Sequence, residues 1–406
     1  MTAPVIDAVP APRLQVPVWL LVLITLSGTL AMHMFVPALP LAGAQLGTTP
    51  QAMQMTISLY IAGLAVGQLI YGPLSDAFGR RPLLLGGLAL YTVAGLVAGM
   101  SSGIHARIAA RLLQALGGSA GLVLGRAIVR DTVHSDDAVR KLAMLNLMMV
   151  IGPGLAPIVG GAIVGHVGWR VIFLLLALMG ALAFACTAKL LPETGRPTGT
   201  ISPRSLLRDY RELLASRVFV GYAVGGACST TAFYAFLAAA PFVFANELHR
   251  PPTELGFYLA MMMAGFSLGN ALTSRLMRSL SGERVLFGAN LVSLVSAAVL
   301  LLLVATGRMS VVAVVGLLFL FTVGAGAASP VSMVKAISVA PRLTGSAAGL
   351  YGFGQMAVGA ICTALVSLGR DPALTSALVL TAMAALARGA YGVATRHEQH
   401  RLAKVS

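Results

Sequence analysis

Two ionisable side chains stand inside long apolar runs of this sequence: His33, within "AMHMFVPALP" (31–40), and Arg111, which opens "RLLQALGGSA" (111–120). An imidazole has an unperturbed pKa near 6.5, so His33 can take up and release a proton at physiological pH. An arginine inside a membrane span costs about 2.5–3.5 kcal/mol to insert and marks function or the interior of a helix bundle. The chemistry that these two residue types could perform is proton transfer within an apolar environment.

The sequence has no comparable pattern that would indicate enzymatic or metal-binding chemistry. Cys186, Cys228 and Cys362 fall in separate apolar runs and lack the spacing of metal ligands. His397 and His400 lie in a basic tail that is expected to be solvated. No carboxylate pair and no nucleophile–base spacing occurs, so the sequence predicts no enzyme, no cofactor and no metal site.

The composition predicts that lipid surrounds most of the chain. Of the 406 residues, 57% are hydrophobic and only 10% are charged, whereas a soluble protein carries about 25% charged residues. Runs of roughly 20 apolar residues, the length that crosses a bilayer as a helix, recur throughout. The runs do not alternate apolar and polar residues as barrel strands do. We predict an all-α integral membrane protein with transmembrane helices over 17–37, 52–74, 82–101, 106–126, 142–165, 170–191, 217–243, 255–276, 285–305, 311–334, 343–367 and 373–395.

The net charge of +15 would suit nucleic acid, but the placement of the basic residues indicates membrane topology instead. Most of the Lys and Arg residues fall in the tails and in the loops on the same side as the tails. The residues on the other side are Arg107, Arg170, Arg250, Arg308 and Arg370. By the positive-inside rule, both termini are expected in the cytoplasm, with the basic loops near anionic lipid.

The longest polar interval separates six predicted spans from six more. We predict a cytoplasmic tail (1–16), a six-helix bundle (17–192), a linker (193–216), a second six-helix bundle (217–396) and a cytoplasmic tail (397–406). Within the linker, "SLLRDYRELLA" has the pattern of a basic interfacial helix. The stretches 72–86 and 274–288 occupy corresponding places in the two halves and are weakly similar, which indicates pseudo-symmetric bundles with a substrate site between them.

Several motifs resemble those of the major facilitator superfamily. The stretch "GPLSDAFGRR" resembles its loop signature Gly-x-x-x-Asp-x-x-Gly-Arg-Arg, "RLLQALGGSA" its span-4 arginine motif, and "GPGLAPIVGG" the span-5 motif of its antiporters. Further stretches, "GWRVIF", "LPET", "GAGAASP" and "GSAAGLYGFGQ", are similar to one subgroup, the bicyclomycin-resistance and chloramphenicol–florfenicol exporters. The resemblance covers nearly the whole chain.

The resemblance implies a drug exporter in a bacterial inner membrane. Its expected substrates are small neutral amphipathic drugs, amphenicol- or bicyclomycin-like, exchanged for protons by alternating access. Its expected partners are the drug, protons and the bilayer, and it is expected to act as a monomer. One alternative is an exporter of amino acids, sugars or nucleosides on the same scaffold, and another, from a different class, is a membrane enzyme.

The resemblance also implies roles for two sets of residues. Asp76, Arg80 and Arg81 would act with Asp131 as a charged latch that holds one conformation, although Arg80 and Arg81 could instead anchor the loop to lipid phosphates. The second set would let the span-5 helix slide against its neighbours, because small residues allow close approach; static packing is the alternative, which we favour less for this cluster. This second set comprises Gly152, Pro153, Gly154, Pro157, Gly160 and Gly161.

His33 departs from the subgroup, which usually has an acid at this position. Counting 1.5 Å per residue places His33 roughly 24 Å from the tail side and Arg111 roughly 7 Å from the other side, which are similar depths. We expect His33 to accept a proton and its charge to repel Arg111. The alternative is a neutral histidine that forms a hydrogen bond between spans or lies at the membrane interface.

Sparse polar and aromatic residues at suitable depth are candidates for a substrate pocket. Met and aromatic side chains adapt to varied ligands, although each could serve packing alone. We favour Tyr60, Asn146 and Gln355 first. The candidates are Met34, Tyr60, Asn146, Phe233, Tyr234, Tyr258 and Gln355.

Overall fold

The computed structural model describes residues 16–132, 135–195, 197, 199 and 203–403. Within these helices, the side chains of 130, 132, 135–143, 145–147, 150, 203 and 400–403 lie outside the description. The described regular structure is helical. The α-helices are α1 (Val18–Phe35), α2 (Leu39–Gln45), α3 (Pro50–Phe78), α4 (Arg80–Met100), α5 (Ile104–Thr132), α6 (Ser135–His166), α7 (Arg170–Leu190), α8 (Pro203–Ala215), α9 (Arg217–Thr231), α10 (Phe233–Phe242), α11 (Pro252–Leu276), α12 (Gly282–Ala305), α13 (Val311–Ser338), α14 (Thr344–Leu368) and α15 (Pro372–Ala403).

Eleven helical segments are long and apolar enough to cross a membrane, and α6 adds an apolar stretch at Ile151–His166. Every predicted span therefore falls on a helix or on a pair of consecutive helices. The chain is a multi-pass membrane protein, as the composition predicts, because a helix satisfies its own backbone polar groups in lipid.

Two spans are discontinuous. The first is divided by a 3₁₀ turn at Val36–Ala38, which contains Pro37. The seventh is interrupted at Ala232, between α9 and α10, and ends in a π-helical turn at Val243–Glu247. These two spans hold corresponding places in the two halves, so each half begins with an interrupted helix.

The helices pack as two groups. Helices α1 to α7 contact one another, as do α9 to α15, and the main contacts between the groups are α3 with α14 and α6 with α11. At one end, α10 also meets α2 and α3. At the other end, here called the linker side, α8 lies against α14, and a cavity between the groups extends to this side.

Candidate functional site

The cavity between the two groups of helices is the candidate substrate site. Its volume is about 880 Å³, within the range of small-molecule pockets. Both groups supply its wall, so any ligand in it touches both. The wall runs from His33 and Phe233 at the deep end to Asp76 and Arg342 at the linker side.

His33 faces this cavity from α1 and is buried, with 4% of its surface exposed. Its Nδ1 lies 2.9 Å from the carbonyl oxygen of Thr29. Because a carbonyl oxygen only accepts, Nδ1 carries the hydrogen, and in the neutral ring Nε2 keeps its lone pair. The edge of the imidazole meets the ring of Tyr234 at a centroid distance of 6.5 Å. Nε2 is therefore the atom of His33 that can accept a proton or a ligand's hydrogen bond.

The facing wall presents hydrogen-bonding groups among aromatic rings. Gln355 Nε2 donates to Thr230 Oγ1 at 2.9 Å, and the hydroxyl of Thr231 donates to the Gln355 carbonyl at 2.9 Å. Phe233 and Tyr234 lie beside them at the start of α10. Three of the predicted pocket residues, Phe233, Tyr234 and Gln355, thus line the cavity.

The other predicted pocket residues lie elsewhere. Met34 is buried, and its carbonyl packs against Gly160. Tyr60 is buried inside the first group of helices, where its hydroxyl donates to the Gly28 carbonyl at 2.6 Å. Tyr258 stacks on Phe244 at 4.9 Å, and its hydroxyl donates to a neighbouring glutamate at 2.7 Å. The side chain of Asn146 lies outside the described residues.

Several cavity residues were missed by the sequence analysis: Thr29, Gln68, Arg126, Thr230 and Thr231. Four of them are uncharged polar residues in apolar spans, and that property could have singled them out. Arg126 falls at the predicted end of its span, so it was counted with the basic loops.

Arg111 is fully buried in the first group of helices and does not line the cavity. Its guanidinium carbon lies 3.9 Å from the ring centre of Tyr60, 5.5 Å from Phe35 and 5.7 Å from Phe173. One nitrogen, Nη1, donates to Gln114 Oε1 at 2.8 Å, while Nε and Nη2 have no hydrogen-bond partner among the described residues. An aromatic cage, rather than a carboxylate, therefore surrounds this cation.

His33 and Arg111 are not brought together. The described contacts of His33 are with Thr29 and Tyr234, whereas those of Arg111 lie on α1, α3, α5 and α7. Counting residues gives depth along a helix but not the direction in which a side chain points. His33 points toward the second group of helices, and Arg111 points into the interior of the first.

The predicted latch residues cluster on the linker side of the first group. Arg80 bridges two acids, with Nη1 2.7 Å from Asp76 Oδ1 and Nε 3.0 Å from Asp131 Oδ2. Arg81 donates through Nη2 to the Ala188 carbonyl at 2.8 Å. These contacts join the end of α3, the start of α4 and the ends of α5 and α7 within one group of helices.

Glu193, in the "LPET" stretch, completes this cluster and was not assigned a role from sequence. Its carboxylate accepts hydrogen bonds from the backbone N–H groups of Arg80 at 2.8 Å and Arg81 at 3.1 Å. Gly79 adopts φ +98°, and a Cβ there would lie 2.6 Å from Glu193 Oε2. A carboxylate at a helix N-terminus satisfies unpaired N–H groups and opposes the helix dipole. Glu193 thus caps α4 from a distant part of the chain.

The predicted sliding helix is α6, which contains Pro153 and Pro157. At Gly160 it packs against the backbone of α1, and a Cβ at Gly161 would lie 2.7 Å from the Pro252 carbonyl of α11. On the facing helix α11, a Cβ at Gly256 would lie 2.5 Å from the Pro157 carbonyl of α6. Near the cavity, Gly152 faces Leu26, and Gly154 faces Met263. The small residues therefore let α6 touch both groups of helices.

Comparison with known proteins bears on this arrangement. The family model of the Major Facilitator Superfamily matches residues 21–363. A bicyclomycin resistance protein homologue of Haemophilus influenzae is 27% identical, over 83% of this chain and 85% of its own. A chloramphenicol resistance protein of Pseudomonas aeruginosa is 29% identical, over 84% and 82%. The crystal structure of a bacterial homologue of the lysosomal transporter Spinster, inward-facing and occupied, superimposes with a TM-score of 0.72 at 14% identity, covering 93% of this chain and 96% of that one.

Proposed function

The chain belongs to the major facilitator superfamily, and we propose that within it this transporter exports small neutral amphipathic drugs of the amphenicol or bicyclomycin type. The proposal rests on the chemistry of the cavity wall. Its deep end combines aromatic rings with His33, Gln355 and two threonines, and the described lining there includes no carboxylate. Such a wall binds an uncharged ligand with a few hydrogen-bonding groups. The relatives named for bicyclomycin and chloramphenicol resistance support this substrate class.

Export by alternating access follows from the way the two groups of helices meet. The cavity is shared by both groups and extends to the linker side, which we assign to the cytoplasm of a bacterial inner membrane from the basic residues there. Rocking of the groups about the α3–α14 and α6–α11 contacts would close this side and open the other. The described residues of the cavity wall come from both halves of one chain, which supports a monomer as the transporting unit.

For proton coupling, we propose His33 as the proton acceptor and Arg111 as a residue that acts on it through α1. Tyr60 links the two, because its ring lies against the Arg111 guanidinium and its hydroxyl holds the Gly28 carbonyl of α1. A proton on Nε2 of His33 would put a charge in the cavity, where it changes ligand affinity. Electrostatic repulsion from Arg111 would then act across the packed helix rather than by contact.

The test is a susceptibility panel in a bacterial strain that lacks its own major efflux pumps. Expression of this chain should raise the inhibitory concentration of chloramphenicol or bicyclomycin. In proteoliposomes, an imposed proton gradient should drive transport of the same drug. No protection against any neutral drug, together with gradient-driven transport of amino acids, sugars or nucleosides, would favour the metabolite exporter instead.

A further inference from the structure

Arg126 is the one arginine of the described cavity wall whose charge no acid neutralises. It lies on α5, five residues before Asp131, and its side chain is exposed to the cavity. Its described contact is a 3.4 Å hydrogen bond from Nη2 to the sulfur of Met149. In contrast, Arg80 pairs with two aspartates and Arg342 pairs with Glu212 on α8.

An unpaired guanidinium at this place is costly unless something binds it. The group keeps its charge under all physiological conditions, and a membrane-embedded cavity offers it less solvation than bulk water does. A thioether sulfur is a weak acceptor and leaves most of the five N–H donors of Arg126 unused. Asp209, on α8, lines the same cavity but forms no ion pair with Arg126. The donors are therefore available to a ligand.

The position of Arg126 defines the shape of that ligand. Gly125 packs against Thr25 of α1, and His33 lies eight residues further along the same helix. At 1.5 Å per residue, Arg126 is about 12 Å closer to the linker side than His33. A molecule of this length would place one end on Arg126 and the other among the aromatic rings near Phe233 and Tyr234.

We infer that the cavity also binds amphipathic monoanions, with a carboxylate paired to Arg126 and an apolar body at the deep end. The planar guanidinium forms paired hydrogen bonds with a carboxylate, which an uncharged group cannot match. The inference rests on the proposed function, because it assigns the anion to the same cavity. It extends the substrate class from neutral drugs to weak organic acids.

The experiment measures binding to the purified full-length transporter at neutral pH. The probes are biphenyl-4-acetate and biphenyl-4-acetamide, elongated molecules that share one skeleton and differ in charge, and chloramphenicol as a neutral reference. The wild type should bind the carboxylate more tightly than the amide. Arg126→Gln should weaken carboxylate binding by about tenfold or more, the usual cost of a lost hydrogen bond to a charged group. The affinity of the amide should not change.

Arg342→Gln is the matched control, because it removes the same charge from the same cavity wall at a residue that already has an acidic partner. It should weaken carboxylate binding less than Arg126→Gln does, and Arg126→Lys should retain part of that binding. Equal affinity of the wild type for carboxylate and amide, or an equal loss in both Gln variants, would overturn the inference. Carboxylate binding without chloramphenicol binding would contradict the proposed drug class and leave the anion site standing.

Discussion

Replacement of Glu193 by alanine should both destabilise the protein and slow export. The carboxylate of Glu193 accepts the N–H groups of Arg80 and Arg81, which begin α4, and it is held against Gly79. Without it, these two N–H groups lose their acceptor. The start of α4 would loosen, and with it the position from which Arg80 reaches Asp76 and Asp131.

The size of the effect follows from two contributions. Loss of an N-cap side chain costs about 0.5–2 kcal/mol, and loss of a negative charge at a helix N-terminus costs about 0.3–1 kcal/mol. Glu193→Ala should therefore lower the free energy of unfolding by about 1–3 kcal/mol. Glu193→Gln keeps one oxygen acceptor without the charge, so its free energy of unfolding should lie between those of Glu193→Ala and the wild type.

The assay is equilibrium unfolding of the purified transporter by SDS titration in mixed micelles, with drug transport in proteoliposomes as the second measurement. Thr194→Ala is the control, because the neighbouring hydroxyl has no hydrogen-bond partner among the described residues. A stability of Glu193→Ala equal to that of the control would refute the cap. Equal losses of stability in Glu193→Gln and Glu193→Ala would refute the contribution of the charge.

Three further predictions concern transport. Asp76→Asn should abolish drug export in proteoliposomes while the purified protein still binds drug, because Asp76 lies in the latch cluster; lost binding with intact export would contradict this. Arg111→Lys should lose export, because an ammonium cannot copy the flat stacking of the guanidinium on Tyr60. Export by this variant at the wild-type rate would show that charge alone suffices. His33→Asp should add ethidium export to chloramphenicol export and should make the export rate depend more strongly on pH between about pH 6 and 8. Robust ethidium export by the wild type would show that the missing carboxylate does not set selectivity.

The fold was predictable because solvent dictates it. An apolar run of about 20 residues in a bilayer must be helical, so every predicted span appears as a helix or as consecutive helices. The interruptions within the first and seventh spans were harder to predict from the sequence. Pro37 and Pro40 signal the break after α1, but the interruption at Ala232 has no glycine or proline beside it.

The site was predictable where residues act near their own position in the chain. Asp76 and Arg80 are one helical turn apart and form an ion pair, and Arg80 also pairs with Asp131. Contacts that depend on helix rotation were not predictable. Tyr60 and Tyr258 were expected to face the ligand. Tyr60 instead points into the first group of helices, and Tyr258 lies partly exposed beside Phe244. Only packing against neighbours decides such directions.

The ion pairs explain how rigid halves can move against each other. Each pair found among the described side chains joins elements of one group of helices, except Arg342–Glu212, which ties α8 to the second group. Between the groups, the described hydrogen bonds are neutral: Gln54 donates to the Ala238 carbonyl at 3.4 Å, and Ser367 donates to the Met55 sulfur at 3.2 Å. Separating charges in a poorly solvated interface costs more than exchanging neutral contacts. Charged residues can thus fix the shape of each half while the described neutral contacts between the groups change partners in every cycle. Substitutions at Arg80 should therefore loosen one half, and substitutions at Gly161 should obstruct the motion between halves.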